Sequence, residues 1–284
     1  MNATPVSLAG QNGSLHAFSG RLVLLGAGKM GGALLQGWLR LGLDPTRIVV
    51  LEPAPSAPIM SLAGHGVRLN PELGTLTDVA AIVIAVKPQL AIDVVPTLVP
   101  MTAPDTLVVS IMAGRTLGFL STAFKAAGGI VRAMPNTPAA IGRGITVAVA
   151  RRASAAQHAL AHRLLAATGT VEWIEDEMLM DAVTAVSGSG PAYVFLLAEV
   201  LADAAAAAGL PRPLAARLAR ETIAGSGELL HQSALDAATL RENVTSPGGT
   251  TAAALAVLMG NDGLLPLMTK AVAAATARSR ELAG

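Results

Sequence analysis

Cysteine is absent from this sequence of 284 residues, and aromatic residues are scarce, at 2%. Without cysteine the chain has no disulfide bonds and no thiolate metal sites, although this absence does not fix its compartment. The formal net charge is only +1, and no basic stripe with interleaved aromatic residues occurs, which argues against a nucleic-acid partner. Apolar residues make up 52%, but uninterrupted apolar stretches such as Val79–Val86 are too short to span a bilayer.

Residues 1–20 contain neither Lys nor Arg and no apolar core, so they indicate a loose N-terminal extension and not a signal peptide. The remaining chain is long enough to bury a large core and to form two domains. We therefore expect a soluble, cytoplasmic protein with no membrane partner.

The pattern of the chain changes near residue 175. Before it, short β-branched runs alternate with helix-length segments, which is typical of a mainly parallel, doubly wound α/β sheet. The predicted strands are Leu22–Leu25, Ile48–Leu51, Ala81–Val86, Leu107–Ser110, Ile130–Ala133, Ile145–Val149 and Val171–Ile174. After it, helices are predicted at Asp176–Val186, Pro191–Ala208, Pro213–His231, Ala237–Glu242, Thr250–Met259 and Leu264–Leu282.

We accordingly expect a doubly wound α/β domain at 21–175 and an all-α domain at 176–284. The helical half is rich in alanine, and thin side chains bury little apolar area within one chain. This composition favours packing of the helical domain against a second copy of itself.

The first predicted strand runs directly into a G-x-G-x-x-G turn, Gly26 to Gly31, which opens a helix. The first glycine permits the tight turn, Gly28 lets the backbone approach a pyrophosphate, and Gly31 lets helix and strand pack closely. Glu52 ends the second predicted strand, 21 residues after Gly31, at the spacing of a ribose-binding carboxylate. The context predicts a bound dinucleotide, NADPH or NADH, and thus a Rossmann-type dinucleotide-binding domain at 21–175. A carboxylate at Glu52 favours NADH, because it accepts hydrogen bonds from ribose hydroxyls and repels a 2′-phosphate.

Two further strand ends are candidates to border the nicotinamide, since ligands of open α/β sheets lie beyond the carboxyl ends of strands. These are the sequence AVKPQ, beginning at Ala85, and SIMAG, ending at Gly114. A third strand is followed by MPNTP, in which Asn136 either holds a carboxamide or caps a turn.

The segment Val244–Thr251 joins two glycines and several hydroxyls to the start of a helix. The first N–H groups of a helix lack partners within it, so this turn suits a small carboxylate, although an ordinary helix entry has the same pattern. Neither Asp, Glu nor His lies between Asn243 and Gly260, which counts against a hydrolase or a metal-dependent enzyme.

Two other patterns have simpler structural interpretations. His158 and His162 are four residues apart on a predicted helix, but no third ligand accompanies them, so we expect a solvated face and no metal site. The Ser187–Pro191 stretch lacks the strand that precedes a nucleophile elbow, and a close-packed helix junction is expected there.

In this order and spacing, GAGKMG, AVKPQ, SIMAG, MPNTP, SGSGPAY and NVTSPGGTT closely resemble the pyrroline-5-carboxylate reductase family, from about Arg21 to the C-terminus. The resemblance implies reduction of 1-pyrroline-5-carboxylate to L-proline by hydride transfer from NAD(P)H, the last step of proline biosynthesis. It also implies a C-terminal domain whose helices interlock in a homodimer, and dimers of this family often assemble into rings of five. Glu52 departs from the family, in which many members carry a small polar residue there, and this puts the usual NADPH preference in doubt.

The resemblance assigns residues to the site. Cofactor contacts are implied for Leu25, Gly26, Ala27, Gly28, Lys29, Met30, Ala85, Val86, Lys87, Pro88, Met112, Ala113, Gly114 and Asn243, to which Glu52 is added from its position. Substrate contacts are implied for Gly248, Gly249, Thr250 and Thr251, with the helix entry from Ser246 holding the carboxylate. Thr251 is assigned as the hydrogen-bond partner and candidate proton donor of the ring nitrogen.

Two alternatives stay open from the sequence. A two-domain hydroxyacid dehydrogenase usually carries a lysine acid/base in its helical half, but Lys270, in the last predicted helix, is the only lysine after Lys125. A non-catalytic nicotinamide-sensing regulator explains GAGKMG but gives no reason for the carboxylate-binding turn.

Overall fold

The computed structural model describes residues 13–283, which fall into two compact units. One unit, here called the sheet unit, comprises residues 13–188 and 276–283, and the other, the helical unit, comprises Ser189–Ala275. The last strand ends at Trp173, and the sheet unit continues beyond it to residue 188. The domain limits 21–175 and 176–284 stay predictions.

The sheet unit contains an eight-stranded sheet in the order β3-β2-β1-β4-β5-β6-β7-β8. Its strands are β1 Arg21–Leu25, β2 Ile48–Leu51, β3 Arg68–Leu69, β4 Val79–Ile84, β5 Leu107–Ser110, β6 Gly129–Met134, β7 Gly144–Arg151 and β8 Gly169–Trp173. All neighbouring pairs are parallel except β6 and β7, which are antiparallel. Only a short helical turn, Thr137–Ile141, joins those two strands, whereas a parallel connection needs a longer crossover. The predicted α/β fold with a mainly parallel sheet is confirmed.

Apolar residues on both faces of the strands hold this sheet between two layers of helices. The helices of the sheet unit are α1 Lys29–Arg40, α2 Ala57–Ser61, α3 Ala91–Leu98, α4 Leu117–Ala123, α5 Ala155–Ala166 and α6 Met180–Val183. One buried cluster centres on Leu34, Leu35 and Trp38 of α1, and the indole Nε1 of Trp38 donates a hydrogen bond to the Leu164 carbonyl at 2.8 Å. A second cluster includes Leu98 and Phe124. Continuous apolar strands are therefore covered on both sides, as a parallel sheet requires.

Residues 13–20 pack against the rest of the sheet unit. Leu15 and Phe18 are buried in the first cluster, and the Leu15 N–H donates to the Leu41 carbonyl at 2.9 Å. The expectation of a loose extension is therefore wrong for residues 13–20, because two spaced apolar side chains anchor them. Residues 1–12 of the predicted extension lie outside the described residues.

The helical unit consists of helices joined by short turns. Its helices are α7 Gly190–Ala207, α8 Arg212–Gln232, α9 Ala237–Asn243, α10 Thr250–Leu258 and α11 Leu264–Ala283, the last of which ends in the sheet unit. α7 packs against α8, yet large apolar side chains of α7 such as Phe195 and Leu196 remain exposed. The helical stretch Glu177–Ala207 is long and apolar enough to cross a membrane by length and composition alone, which for one helix is weak evidence.

Candidate functional site

The site begins where the strand order of the sheet reverses. β1 lies between β2 and β4, so the loops after these three strands open at the same edge. In doubly wound sheets, ligands bind in the crevice outside the carboxyl ends of the strands at this switch point. The G-x-G-x-x-G turn follows β1, Glu52 follows β2, and Ala85 follows β4. The topology therefore brings together three segments that are far apart in the sequence.

The glycines of the turn differ in what their missing side chains permit. Gly26 has φ +89°, and a Cβ there would lie 2.8 Å from the Ala85 carbonyl oxygen. A Cβ on Gly31 would collide with the Gly26 carbonyl. Gly28 has an ordinary φ of −68°, and beyond its two chain neighbours no atom of the described residues lies within 4 Å of a Cβ built on it. Gly26 and Gly31 thus allow the turn to pack closely, whereas Gly28 leaves open space above the backbone.

Gly28 is also the N-cap of α1, and its position leaves the helix start open. No side chain caps α1, and no acidic residue occupies its first turn. The first N–H groups of a helix carry partial positive charge and bind anions, a pyrophosphate among them. The open space above Gly28 and the uncapped helix start thus fit the pyrophosphate of a dinucleotide.

Glu52 lies next to this turn. Its carboxylate oxygen Oε2 accepts a hydrogen bond from the backbone N–H of Ala27 at 2.9 Å. The structure therefore places a carboxylate beside the glycine-rich turn at the end of β2, where the sequence predicted it.

A cavity of about 300 Å³ lies at the same edge of the sheet. Of the predicted cofactor residues, it brings together Met30, Ala85, Val86, Lys87, Pro88, Met112 and Ala113. It is also lined by Asn136, for which the sequence left two roles open, and by residues that were not assigned from the sequence: Ile111, Met134, Pro135, Thr137 and Gly188. The cavity is mainly apolar with few polar groups, which suits a flat ring such as a nicotinamide. The Asn136 side chain stabilises the connection between β6 and β7, because its Oδ1 accepts a hydrogen bond from the Ile145 N–H at 3.0 Å.

Arg115 holds one wall of this cavity in place. Its Nε and Nη2 both donate to the Pro88 carbonyl, at 3.1 and 2.8 Å, and its guanidinium carbon lies 5.1 Å from the centre of the Phe119 ring. Arg115 was not predicted from the sequence, although its place directly after the glycine that ends SIMAG was a usable signal. Arg115 thus links the loops that follow β4 and β5.

Gly188 closes the cavity from a widened helix. Residues Thr184–Gly188 form a π-helical turn, a feature that often marks functional sites. A Cβ on Gly188 would lie 2.6 Å from the Cε of Met134. The Ser187 hydroxyl donates to the Val183 carbonyl at 3.0 Å, so it is engaged within its own helix. These contacts agree with a close-packed helix junction here.

The predicted substrate residues lie in the helical unit, on the bend between α9 and α10. The Gly249 N–H donates to the Ser246 carbonyl at 3.0 Å, and Gly248 has φ +68°, so this tight turn requires a residue without a side chain. Gly249 is the N-cap of α10, and no side chain caps this helix. Thr250 is exposed and Thr251 is half-buried in its first turn. This helix start offers N–H groups and hydroxyls to a carboxylate.

The helix before the bend is itself capped. Asp236 accepts a hydrogen bond from the Thr239 N–H at 2.7 Å, and this bond lowers the pKa of the Asp236 carboxyl below its ordinary value. The cap fixes the start of α9, whose last residue is the exposed Asn243, predicted to contact the cofactor.

The two histidines of α5 contact an aromatic side chain. The rings of His158 and Trp173 lie 3.7 Å apart, and the Nε1 of Trp173 donates to the Nδ1 of His162 at 3.2 Å. Within the described residues, no group of three or more His, Asp or Glu side chains could hold a metal ion.

Two family models match the chain. Residues 21–114 match the model described as NADP oxidoreductase coenzyme F420-dependent. This matched range contains the G-x-G-x-x-G turn and the ends of β1, β2, β4 and β5. Residues 177–282 match the model described as pyrroline-5-carboxylate reductase dimerisation, which contains the bend before α10.

Whole-length comparisons point in the same direction. The chain is 39% identical over 268 residues to a pyrroline-5-carboxylate reductase of Pseudomonas aeruginosa, covering 93% of this chain and 97% of that protein. A solved pyrroline-5-carboxylate reductase of Coxiella burnetii matches with a TM-score of 0.85 and 32% identity, over 93% of this chain and 98% of the other. A Plasmodium falciparum pyrroline carboxylate reductase, solved with NADP bound, matches with a TM-score of 0.76 and 30% identity, over 94% and 99%.

Proposed function

Because this chain belongs to the pyrroline-5-carboxylate reductase family, an NAD(P)H-dependent oxidoreductase that makes L-proline from 1-pyrroline-5-carboxylate, we propose how its own residues carry that reaction. The cofactor binds at the carboxyl edge of the sheet, and the substrate carboxylate binds at the start of α10. The observation that carries the proposal is the open start of α1 at Gly28, together with the cavity that Met30 of the same helix lines.

The cofactor residues divide by the part of the dinucleotide that they hold. Residues from Leu25 to Met30 receive the pyrophosphate, because the uncapped start of α1 offers N–H donors there. Glu52 receives the ribose of the adenosine half. The loops Ala85–Pro88 and Met112–Gly114 border the nicotinamide, and Asn243 makes a further contact with the cofactor. When bound, the reduced nicotinamide supplies a hydride to the carbon of the C=N bond.

The substrate residues orient a cyclic imine with one carboxylate. The N–H groups from Gly248 to Thr250 and the Ser246 hydroxyl hold the carboxylate, because the uncapped start of α10 attracts negative charge. The Thr251 hydroxyl is the hydrogen-bond partner of the ring nitrogen: its oxygen accepts from the N–H of the protonated imine, and after hydride transfer the hydroxyl is the candidate proton donor to the nitrogen lone pair. Thr250 contacts the same substrate at the first residue of α10.

This assignment asks little acid strength of the protein. A protonated imine is already electrophilic, so its carbon accepts the hydride, its C=N π electrons become a lone pair on nitrogen, and the product is a secondary amine. Positioning then accounts for most of the rate. The absence of Asp, Glu and His between Asn243 and Gly260 is compatible with such chemistry.

The helical unit supports assembly as a homodimer. The match to a dimerisation model covers residues 177–282, and the exposed apolar side chains of α7, such as Phe195 and Leu196, offer a surface that a second copy would cover. The same surface accounts for the apolar character of Glu177–Ala207 without a membrane. We place the dimer in the cytoplasm, with a ring of five dimers as its larger assembly and no nucleic-acid partner.

A reductase assay with each reduced cofactor tests the function. Oxidation of NADH or NADPH should depend on 1-pyrroline-5-carboxylate, and piperideine-6-carboxylate run in parallel defines the ring sizes accepted. With NAD(P) present, proline should raise the melting temperature, whereas malate and 3-hydroxyisobutyrate should not. Stabilisation by the hydroxyacids without imine reduction would favour a hydroxyacid dehydrogenase, and cofactor binding without turnover would favour a sensor.

A further inference from the structure

One amide side chain holds the main chain of Glu52 from both sides. The Glu52 N–H donates to the Oδ1 of Asn70, and the Nδ2 of Asn70 donates to the Glu52 carbonyl, each at 2.8 Å. Asn70 directly follows β3 and has φ +44°, and its own N–H donates to the Val50 carbonyl at 2.9 Å. Since Val50 lies in β2, Asn70 is itself anchored to the sheet, and it fixes the backbone from which the Glu52 side chain extends.

The Glu52 carboxylate is fixed as well. Its Oε2 accepts from the Ala27 N–H at 2.9 Å, and its Oε1 accepts from the Ala54 N–H at 3.2 Å. A negative charge therefore stands beside the glycine-rich turn in a defined position.

Within residues 13–283, no Lys, Arg or His nitrogen forms an ion pair with Glu52 within 4 Å. Arg47, the arginine nearest to Glu52 in the sequence, lies at the amino end of β2. Its side chain contacts Asp44 at 3.8 Å and the Gly20 carbonyl at 3.4 Å. An arginine that could pair with a 2′-phosphate is thus turned to the opposite end of the strand.

We propose that Glu52 makes this reductase prefer NADH to NADPH, and that Asn70 is the positioning residue that holds Glu52 in that role. The inference rests on the proposed cofactor site. A dinucleotide whose pyrophosphate lies at the start of α1 has its adenosine ribose near the end of β2, where a carboxylate accepts a hydrogen bond from the 2′-hydroxyl. A 2′-phosphate would instead meet a like charge that the Asn70 and Ala27 contacts keep from turning away.

The expected discrimination is about 100-fold in dissociation constant, which corresponds to about 2.8 kcal/mol at about 1.4 kcal/mol per factor of ten. Charge repulsion at a partly exposed site is screened by salt. Raising the ionic strength from about 0.05 M to about 0.5 M should therefore lower the ratio of the NADPH dissociation constant to the NADH dissociation constant in the wild type.

Equilibrium binding of NADH and of NADPH, followed by calorimetry, tests this proposal apart from turnover. Glu52→Gln should bring the two dissociation constants within about threefold of each other and remove the salt dependence of their ratio. Glu72→Gln is the matched control, because it removes the same charge from the same unit. Glu72 is exposed, and its side chain makes no cap hydrogen bond. The control should keep the wild-type ratio.

Asn70→Gly tests the positioning role, because glycine adopts φ +44° without strain while the amide is removed. Asn70→Gly should lower the ratio of the NADPH dissociation constant to the NADH dissociation constant, as Glu52→Gln does. Its melting temperature should stay close to that of the wild type. A change in stability alone, with the ratio unchanged, would overturn the role of Asn70.

The outcomes separate this inference from the function beneath it. Equal affinities for the two cofactors in a wild type that reduces 1-pyrroline-5-carboxylate would overturn the inference and leave the function standing. A wild type that binds neither dinucleotide would remove the proposed function and the inference with it. A preference for NADH that survives Glu52→Gln would also refute the role of Glu52.

Discussion

A methyl group added to Gly28 and one added to Gly26 should impair different properties of the protein. Gly28→Ala adds a Cβ at a residue with φ −68°, where no atom of the described residues beyond the two chain neighbours lies within 4 Å, so the protein can fold around it. Gly26→Ala adds one at φ +89°, 2.8 Å from the Ala85 carbonyl oxygen and 2.9 Å from its carbon. The first substitution should impair cofactor binding with the fold intact, and the second should impair the fold.

The magnitudes follow from these contacts. The Gly28 methyl group occupies the space proposed for the pyrophosphate. Loss of two N–H hydrogen bonds to its charge, at about 1.5–3 kcal/mol each, gives about 3–6 kcal/mol. NADH binding should therefore weaken by about 100- to 10,000-fold. The cost to folding should stay below about 1 kcal/mol, since only the N-cap residue changes. Gly26→Ala should cost at least about 2 kcal/mol, because a strained φ and a main-chain clash add together.

Calorimetric titration with NADH and thermal unfolding of both variants measure the two effects. For a chain of this size, about 1 kcal/mol corresponds to about 2–4 °C, so Gly26→Ala should melt at least about 4 °C below the wild type. Wild-type affinity for NADH in Gly28→Ala would refute the placement of the pyrophosphate at the start of α1. Equal losses of melting temperature in the two variants would refute the distinction between a packed and an open glycine.

Three further predictions concern the substrate, the cavity wall and the assembly. Thr251→Ala should lower turnover by about 10- to 1000-fold with cofactor binding intact, and Thr251→Ser should restore most of it; unchanged turnover in the alanine variant would remove the assigned role. Arg115→Ala frees the Pro88 carbonyl from two donors and should raise the KM for the reduced cofactor about tenfold, whereas Arg115→Lys, with a single ammonium donor, should be intermediate; a KM unaffected by either change would contradict the link between the loops. Sedimentation at micromolar concentration should show at least a dimer, and a monomer would refute packing of the helical domain against a second copy.

Much of the sheet could be predicted because parallel strands buried on both faces are continuous apolar runs. Ile48–Leu51 and Leu107–Ser110 match their predicted limits, and helices α7 to α11 match theirs within one residue. The predicted helix Asp176–Val186 is instead a 3₁₀ turn, the short helix α6 and a π-helical turn. β3 was not predicted, since two residues give no periodic signal and the strand exists only through pairing with β2. The anchoring of Leu15 and Phe18 was missed for a similar reason, because isolated apolar residues reveal burial only when a partner surface is known.

The candidate site divides in the same way. The G-x-G-x-x-G turn, Glu52 and the loops after β4 and β5 were recognisable because each lies at the end of a predicted strand. The contacts of Asn70 with Glu52, 18 residues apart, and of Arg115 with Pro88, 27 residues apart, had no local signal. Gly188 was expected at a helix junction, but its approach to Met134 depends on the π-helical turn.

The sequence by itself determined most of the strands and helices and the glycines at the start of α1, because those outcomes depend on patterns within one turn or one strand. Tertiary structure alone decided that Asn70 fixes the Glu52 backbone and that the Glu52 carboxylate bonds to the Ala27 N–H. Both contacts require β1, β2 and β3 to lie side by side, and strand adjacency comes from hydrogen bonding between segments that the sequence keeps apart.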